Sequence, residues 1–193
     1  MRIGVLAGTF DPIHLGHLRA AETAREELGL ELVAFVPSAV PPHRASPLAD
    51  PLDRFVMACL ACAGHSYFAA WDTELKRPGP SYTVDTLDVL GNERPGDTLV
   101  LVVGSDTWPE MTGWKEPERL FALAEIAVVN RPGQAPQDPV RPFPSAREVV
   151  RVEGPALPIS ATSVRERVRE GRSARFLVPD AVLDYIAKRG LYT

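Results

Sequence analysis

Short apolar runs alternate along the chain with stretches in which apolar residues recur every three or four positions, the two periods of buried strands and one-sided helices. Residues 2–7, Arg2-Ile3-Gly4-Val5-Leu6-Ala7, read as a first buried strand, and residues 15–28 as a helix that Gly29 ends. Glu31 to Val36 supplies a second strand and completes a βαβ unit. Asp50-Pro51 is a helix start, a capping carboxylate before a first-turn proline, and that helix is expected to run to about Ala63. Tyr67 to Leu75 is expected to be extended, Thr83 to Leu90 a short helix, and Thr98 to Val103 a strand. One or two short helices follow Gly104-Ser105-Asp106 to about Ala124, then a strand at Ile126–Val129. A proline-rich connection over 131–146 leads to a strand at Glu148–Val152. Ser160 or Thr162 caps a helix through about Glu170, and a last helix spans Asp180–Arg189 before Gly190.

This alternation predicts an α/β fold: a doubly wound, mainly parallel sheet with helices on both faces and a small C-terminal helical portion. The length, 193 residues, fits a single domain over 1–193. A chain of that size buries roughly 70% of its unfolded surface and needs no staples. The formal net charge of −4 and pI near 5.6 argue against a protein built to hold long nucleic acids. They leave room for small polyanions, because a few Arg and His residues can make a positive cleft on an acidic protein.

No apolar run approaches the roughly 18 residues of a membrane helix. The apolar start of the chain is too short for a signal peptide, so a cytoplasmic location is expected, with no membrane and no nucleic-acid partner. Cys59 and Cys62 form a C-x-x-C, but no further ligands stand at a zinc spacing. They read as small apolar residues on a packed helix.

Gly8 stands where the first strand ends, and the first helix begins near Leu15. A strand feeding a glycine turn into a helix N-terminus is where an anion meets backbone N–H groups most easily. His14 and His17, three apart, point to one side of the first turn and would add imidazole donors for phosphate oxygens. Taken alone, such a pair could equally be a metal site or two structural residues. The segment has neither the G-K-S/T of a P-loop nor the G-x-G-x-x-G of a dinucleotide turn.

The whole segment, Gly8-Thr9-Phe10-Asp11-Pro12-Ile13-His14-Leu15-Gly16-His17, resembles the G-G-T-F-D-P-I-H-x-G-H segment of the bacterial nicotinate mononucleotide adenylyltransferases. Ser81-Tyr82-Thr83-Val84-Asp85-Thr86-Leu87 is similar to their S-Y-T-x-D-T-L, and Gly104-Ser105-Asp106 to their G-x-D. Ile159-Ser160-Ala161-Thr162-Ser163-Val164-Arg165 resembles I-S-S/A-T-x-I/V-R, and the ending Tyr185-Ile186 with Gly190-Leu191-Tyr192 fits as well. The matches run in the family's order over almost the whole chain.

The resemblance implies a Rossmann-like fold and attack by the 5′-phosphate of nicotinate mononucleotide on the α-phosphorus of ATP, releasing pyrophosphate. The nucleophile is already ionised, so catalysis calls for in-line positioning and charge stabilisation and for no general base. Mg²⁺, carried mainly on the ATP phosphates, is the expected cofactor, with no protein ligand set of its own. The resemblance assigns Gly8, Thr9, Phe10, His14, Gly16, His17, Gly104, Asp106, Ile159, Ser160, Thr162 and Arg165 to ATP. His17, His14 and Arg165 are the catalytic donors among them. For the mononucleotide it implies Thr83 and Thr86 at a helix start, Trp114 stacking on a pyridine ring, and the cations Arg44 and Arg131. Arg44 stands where the family usually has Lys.

Rival readings keep the chemistry and change the acceptor to nicotinamide mononucleotide or phosphopantetheine, or drop catalysis for adenine-nucleotide sensing. Ser81–Leu87 and Trp114 favour a pyridine mononucleotide, and His17 favours catalysis. An aminoacyl-tRNA synthetase relative would rest on H-x-G-H alone, against an acidic pI and no K-M-S-K-like segment. The partners expected are therefore small molecules, and a homo-oligomer is compatible with the sequence.

Overall fold

Strands β1 (Arg2–Gly8), β2 (Leu32–Pro37), β3 (Phe68–Ala70), β4 (Thr98–Gly104), β5 (Glu125–Val129) and β6 (Val149–Val152) pair in parallel throughout, in the order β3-β2-β1-β4-β5-β6. The computed structural model describes residues 1–42, 47–130, 141–155 and 157–193. Around the sheet lie α1 (Leu15–Leu28), α2 (Pro51–Cys62), α3 (Thr83–Glu93), α4 (Pro117–Leu123), α5 (Ala161–Arg169) and α6 (Asp180–Arg189). A 3-10 turn covers Trp108–Gly113.

The period of two along β4 shows how the faces are shared. Leu99, Leu101 and Val103 pack with Leu87, Leu90, Leu120 and Phe121 of α3 and α4. Val100 and Val102 join the opposite cluster, which holds Ala21, Met57, Val164 and Ile186 of α1, α2, α5 and α6. With both faces covered, the strand reads as a continuous apolar run, the mark of a buried parallel strand. The helix stops are those expected: Gly29 and Gly190 take left-handed φ values of 60° and 62°.

Apart from shifts of one residue at element ends, the expected boundaries change in two places. The extended segment at 67–75 shrinks to Phe68–Ala70, because Lys76 N–H bonds back to Asp72 C=O and folds the rest into a turn. Helix α3 continues past Leu90 to Glu93, and Pro95 follows shortly after. Ser160, not Thr162, is the N-cap of α5, accepting Ser163 N–H; Thr162 lies inside the helix. Cys62 is buried and its thiol pushed up to about 12, which leaves an unreactive side chain, and Cys59 carries no disulfide. Among the described residues, no helix is long and apolar enough to cross a membrane.

The strand order reverses between β1 and β4, and open α/β sheets bind ligands beyond the C-terminal ends of strands at that switch point. Those two strands end in Gly8 and Gly104.

Candidate functional site

Beyond these strand ends opens a cleft of about 720 Å³, well within the range of small-molecule sites. Every residue expected on the ATP side borders it, and so do Thr83 and Trp114 from the acceptor side. Thr86 does not. It is fully buried, and its hydroxyl donates to Glu74 Oε1 at 2.7 Å, so the expectation that it meets a ligand is corrected. Arg44 and Arg131 lie outside the described residues.

The phosphate turn is built around its aromatic rings. Phe10 takes a left-handed φ of 49°, uncommon for a bulky residue, and folds its ring back under Gly8. A Cβ on Gly8 would stand 3.2 Å from Phe10 Cζ, so glycine is what admits the ring. Phe10 then meets His17 edge-on, with centroids 5.0 Å apart. His14, the N-cap of α1, is only 3% exposed, and its ring stacks on that of His17 at 3.6 Å. A Cβ on Gly16 would press to 3.0 Å against the His14 ring, which explains the glycine between the histidines.

His14 N–H donates to His17 Nδ1 at 3.2 Å. That bond makes Nδ1 an acceptor and puts the proton of the neutral His17 ring on Nε2. The backbone array is smaller than the sequence suggested. Of the first four N–H groups of α1, Leu15 bonds to Leu177 C=O, and His17 and Leu18 bond to His14 C=O. The side-chain donors therefore carry more of the burden at this end of the cleft.

Helix α5 supplies the opposite wall. Ser160 and Ser163 bond reciprocally at its start. Arg165, one turn on, donates Nη1–H to Asp11 C=O at 2.7 Å and Nη2–H to Thr162 Oγ1 at 3.2 Å. These two bonds aim a planar fork with five donors across the turn between β1 and α1. After β4, Ser105 N–H bonds to Val129 C=O and Thr107 N–H to Gly104 C=O, and this turn leaves Asp106 exposed on the cleft wall.

On the acceptor side, Ser81 Oγ accepts Ala39 N–H at 2.9 Å and Val40 N–H at 3.2 Å, pinning the start of α3 to the segment after β2. Asp85 and Thr86 N–H bond to Tyr82 C=O, while Thr83 and Val84 open α3 on the cleft wall. Buried Glu74 anchors Thr86 from below. Burial pushes its carboxyl up from its ordinary value, against hydrogen bonds from Thr86 and Ser81 and the charges of Arg77 and Arg54.

Three residues that matter here were not singled out in the sequence. Lys115 borders the cleft with Nζ 3.0 Å from both Asp85 carboxylate oxygens and 4.8 Å above the Tyr82 ring. Its only sequence signal is that it follows Trp114. Asp11 and Arg54 tie loops together and are taken up below. Among the described residues, no cluster of three or more His, Cys, Asp or Glu could hold a metal ion. The cleft offers single carboxylates such as Asp106, a donor set that suits an ion brought in on phosphates.

Three comparisons bear on this geometry. A family model described as cytidylyltransferase-like matches residues 5–167. The chain is similar to a protein of Thermus thermophilus named probable nicotinate-nucleotide adenylyltransferase, 46% identical over 192 residues and covering 100% of both chains. A Roseiflexus protein of the same name is 43% identical over 194 residues, covering 98% of this chain and 97% of its own. Among solved structures, the Plasmodium falciparum nicotinic acid mononucleotide adenylyltransferase complexed with NaAD superposes with a TM-score of 0.82 at 20% identity. It covers 99% of this chain and 97% of its own, and supports the fold.

Proposed function

The chain belongs to the cytidylyltransferase-like family and, within it, to the nicotinate-nucleotide adenylyltransferases; from that premise we infer that its cleft joins ATP to nicotinate mononucleotide. The reaction gives nicotinate adenine dinucleotide and pyrophosphate, a step of NAD biosynthesis that we assign to the cytoplasm. The observation that carries the reading is convergence: segments 8–17, 81–84, 104–106, 114 and 159–165 border one cleft at the switch point of the sheet.

In this reading the acceptor phosphate attacks the α-phosphorus in line, and the protein's work is to bring two anions together and stabilise the charge that develops. His17 donates its Nε2–H to the α-phosphate, where charge shifts most. His14 stacks behind it and fixes its tautomer through the backbone N–H. Arg165, with Ser160 and Thr162 at the start of α5, holds the β- and γ-phosphates of the leaving pyrophosphate. Gly8, Thr9, Phe10 and Gly16 shape the turn against the nucleotide, and Gly104, Asp106 and Ile159 border the adenosine. Mg²⁺ fits as an ion carried on the phosphates, with Asp106 within the same wall to hold its water. When bound, it neutralises phosphate charge.

Trp114 offers a face for the pyridine ring, and the N–H groups of Thr83 and Val84 at the start of α3 receive its carboxylate. Lys115, paired with Asp85, lies on the same wall. A carboxylate accepts from the Thr83 and Val84 N–H groups with two charged oxygens, a carboxamide with one neutral oxygen. The expected preference in kcat/KM for nicotinate over nicotinamide mononucleotide is at least about tenfold, or about 1.4 kcal/mol. Pyrophosphate release from ATP, measured against nicotinate mononucleotide, nicotinamide mononucleotide and phosphopantetheine, tests the reading. Equal turnover of the two pyridine nucleotides would remove the specificity claim, and no turnover with any acceptor would remove the reaction.

Arg165→Ala is expected to lower kcat/KM for ATP by about 10- to 100-fold, the worth of a charge-assisted hydrogen bond to phosphate. An unchanged value in steady-state kinetics would contradict its role.

A further inference from the structure

Residues Gly190-Leu191-Tyr192 lie beyond the last helix and have no role in the mechanism above, yet Tyr192 reaches the phosphate turn. Its hydroxyl donates to Asp11 Oδ1 at 2.7 Å across 181 positions of sequence. Asp11 is 5% exposed, and its carboxylate also accepts Leu48 N–H at 2.9 Å and Ala49 N–H at 3.1 Å. Its backbone carbonyl accepts Arg165. One residue thus fastens the turn after β1, the approach to α2, helix α5 and the C-terminal residues. The first three of these border the cleft, through Asp11, Leu48 and Arg165.

The path of the chain serves this contact. Gly190 reverses direction after α6, and Leu191 N–H bonds back to Ile186 C=O. Tyr192 then takes a φ of 67°, a left-handed conformation unfavourable for an aromatic residue. Such a conformation persists only where the surroundings over-determine it. Here the ring packs against the α1, α2, α5 and α6 core cluster, and the hydroxyl is held by Asp11. Burial and the Asp11 carboxylate both push the phenol's pKa up, so the hydroxyl stays a donor. A carboxylate that loses one of three donors loses a fixed orientation.

We propose that Tyr192 is a positioning residue of this site: its hydroxyl orients Asp11, and through Asp11 the phosphate turn, the Leu48–Ala49 edge and Arg165. The proposal rests on the reading of the cleft as an adenylyl-transfer site. The C-terminal helix provides a matched control. Tyr185 O–H donates to Asp53 Oδ1, also at 2.7 Å, and Asp53 accepts Arg189 Nε–H at 3.2 Å. Neither Tyr185 nor Asp53 borders the cleft.

Tyr192→Phe and Tyr185→Phe each delete one hydroxyl bound to a carboxylate. Both are expected to fold with similar small losses in Tm. Tyr192→Phe is expected to lose at least about fivefold in kcat/KM for ATP and in directly titrated ATP affinity, with Tyr185→Phe staying within about twofold of wild type. ATP affinity and kcat/KM unchanged in Tyr192→Phe, or equal losses in both variants, would overturn the proposal. Should Tyr192→Phe not fold, Asp11→Asn is read by the same two measurements, and unchanged values overturn it equally. Absence of wild-type turnover with every acceptor would instead strike the functional reading, while the ATP titration still decides on Tyr192.

Discussion

His17→Ala is expected to lower kcat for pyrophosphate release by about 100- to 1000-fold, the scale on which removing one transition-state donor acts. The nucleophile needs no deprotonation, so the barrier lies in charge movement at phosphorus. His17 Nδ1 is occupied by His14 N–H, and the ring proton is therefore on Nε2. Phe10 and His14 pack the ring on two sides, which limits reorganisation as the reaction proceeds. A donor fixed in advance acts mainly where charge appears, so KM for ATP is expected to change much less than kcat. The fold should survive, because alanine suits the first turn of a helix and His17 is only half-buried. Thermal unfolding and steady-state kinetics on the same preparation check both halves. A near-normal kcat would remove His17 from the mechanism.

His17 was legible because its neighbours in sequence are its neighbours in space. Gly8, Phe10, His14 and Gly16 all shape its surroundings within ten positions. The central strands were legible for a related reason: both faces of the sheet are covered there, so β4 and β5 carry long apolar runs, Leu99–Val103 and Ile126–Val129. Thr86 misled because Thr83 and Thr86 are three apart, which suggests a shared exposed side at the helix start. Thr86 is also four before Leu90, and α3 buries Val84, Thr86, Leu87 and Leu90 together. That second spacing turns its hydroxyl inward to Glu74. The contacts that hold the site together were not legible at all. Arg165 meets Asp11 across 154 positions and Tyr192 meets it across 181, and no local pattern encodes a hydrogen bond between loops that the topology alone brings together.

Arg54→Met is expected to be the most destabilising single substitution away from the cleft. Arg54 is 0% exposed and the largest of the fully buried side chains, yet its hydrogen-bond partners are three backbone carbonyls: Ala49 at 3.1 Å, Thr9 at 2.7 Å and Ala39 at 3.2 Å. Burial pushes the guanidinium pKa down, opposed by the Asp11 charge, and an arginine remains a cation regardless. Methionine fills similar space without donors, so packing loss is minor and the effect isolates hydrogen bonding and charge. Each carbonyl left buried and unpaired costs about 1–3 kcal/mol. The Ala49 bond is buried and those to Thr9 and Ala39 are part-buried, so the summed loss is a sizeable share of the roughly 5–15 kcal/mol that holds a domain folded. A fall in Tm of at least about 10 °C, or failure to accumulate as folded protein, is therefore expected. Arg54→Lys keeps the charge but not the three-way fork, and should fall between. Buried ions can often be replaced by apolar residues without loss when both partners are exchanged. That exchange is not available here, because the partners are main-chain carbonyls present in every variant. A Tm for Arg54→Met within about 2 °C of wild type would show that water or rearranged backbone satisfies them, and the order Met below Lys below Arg is the result that assigns the stability to the fork.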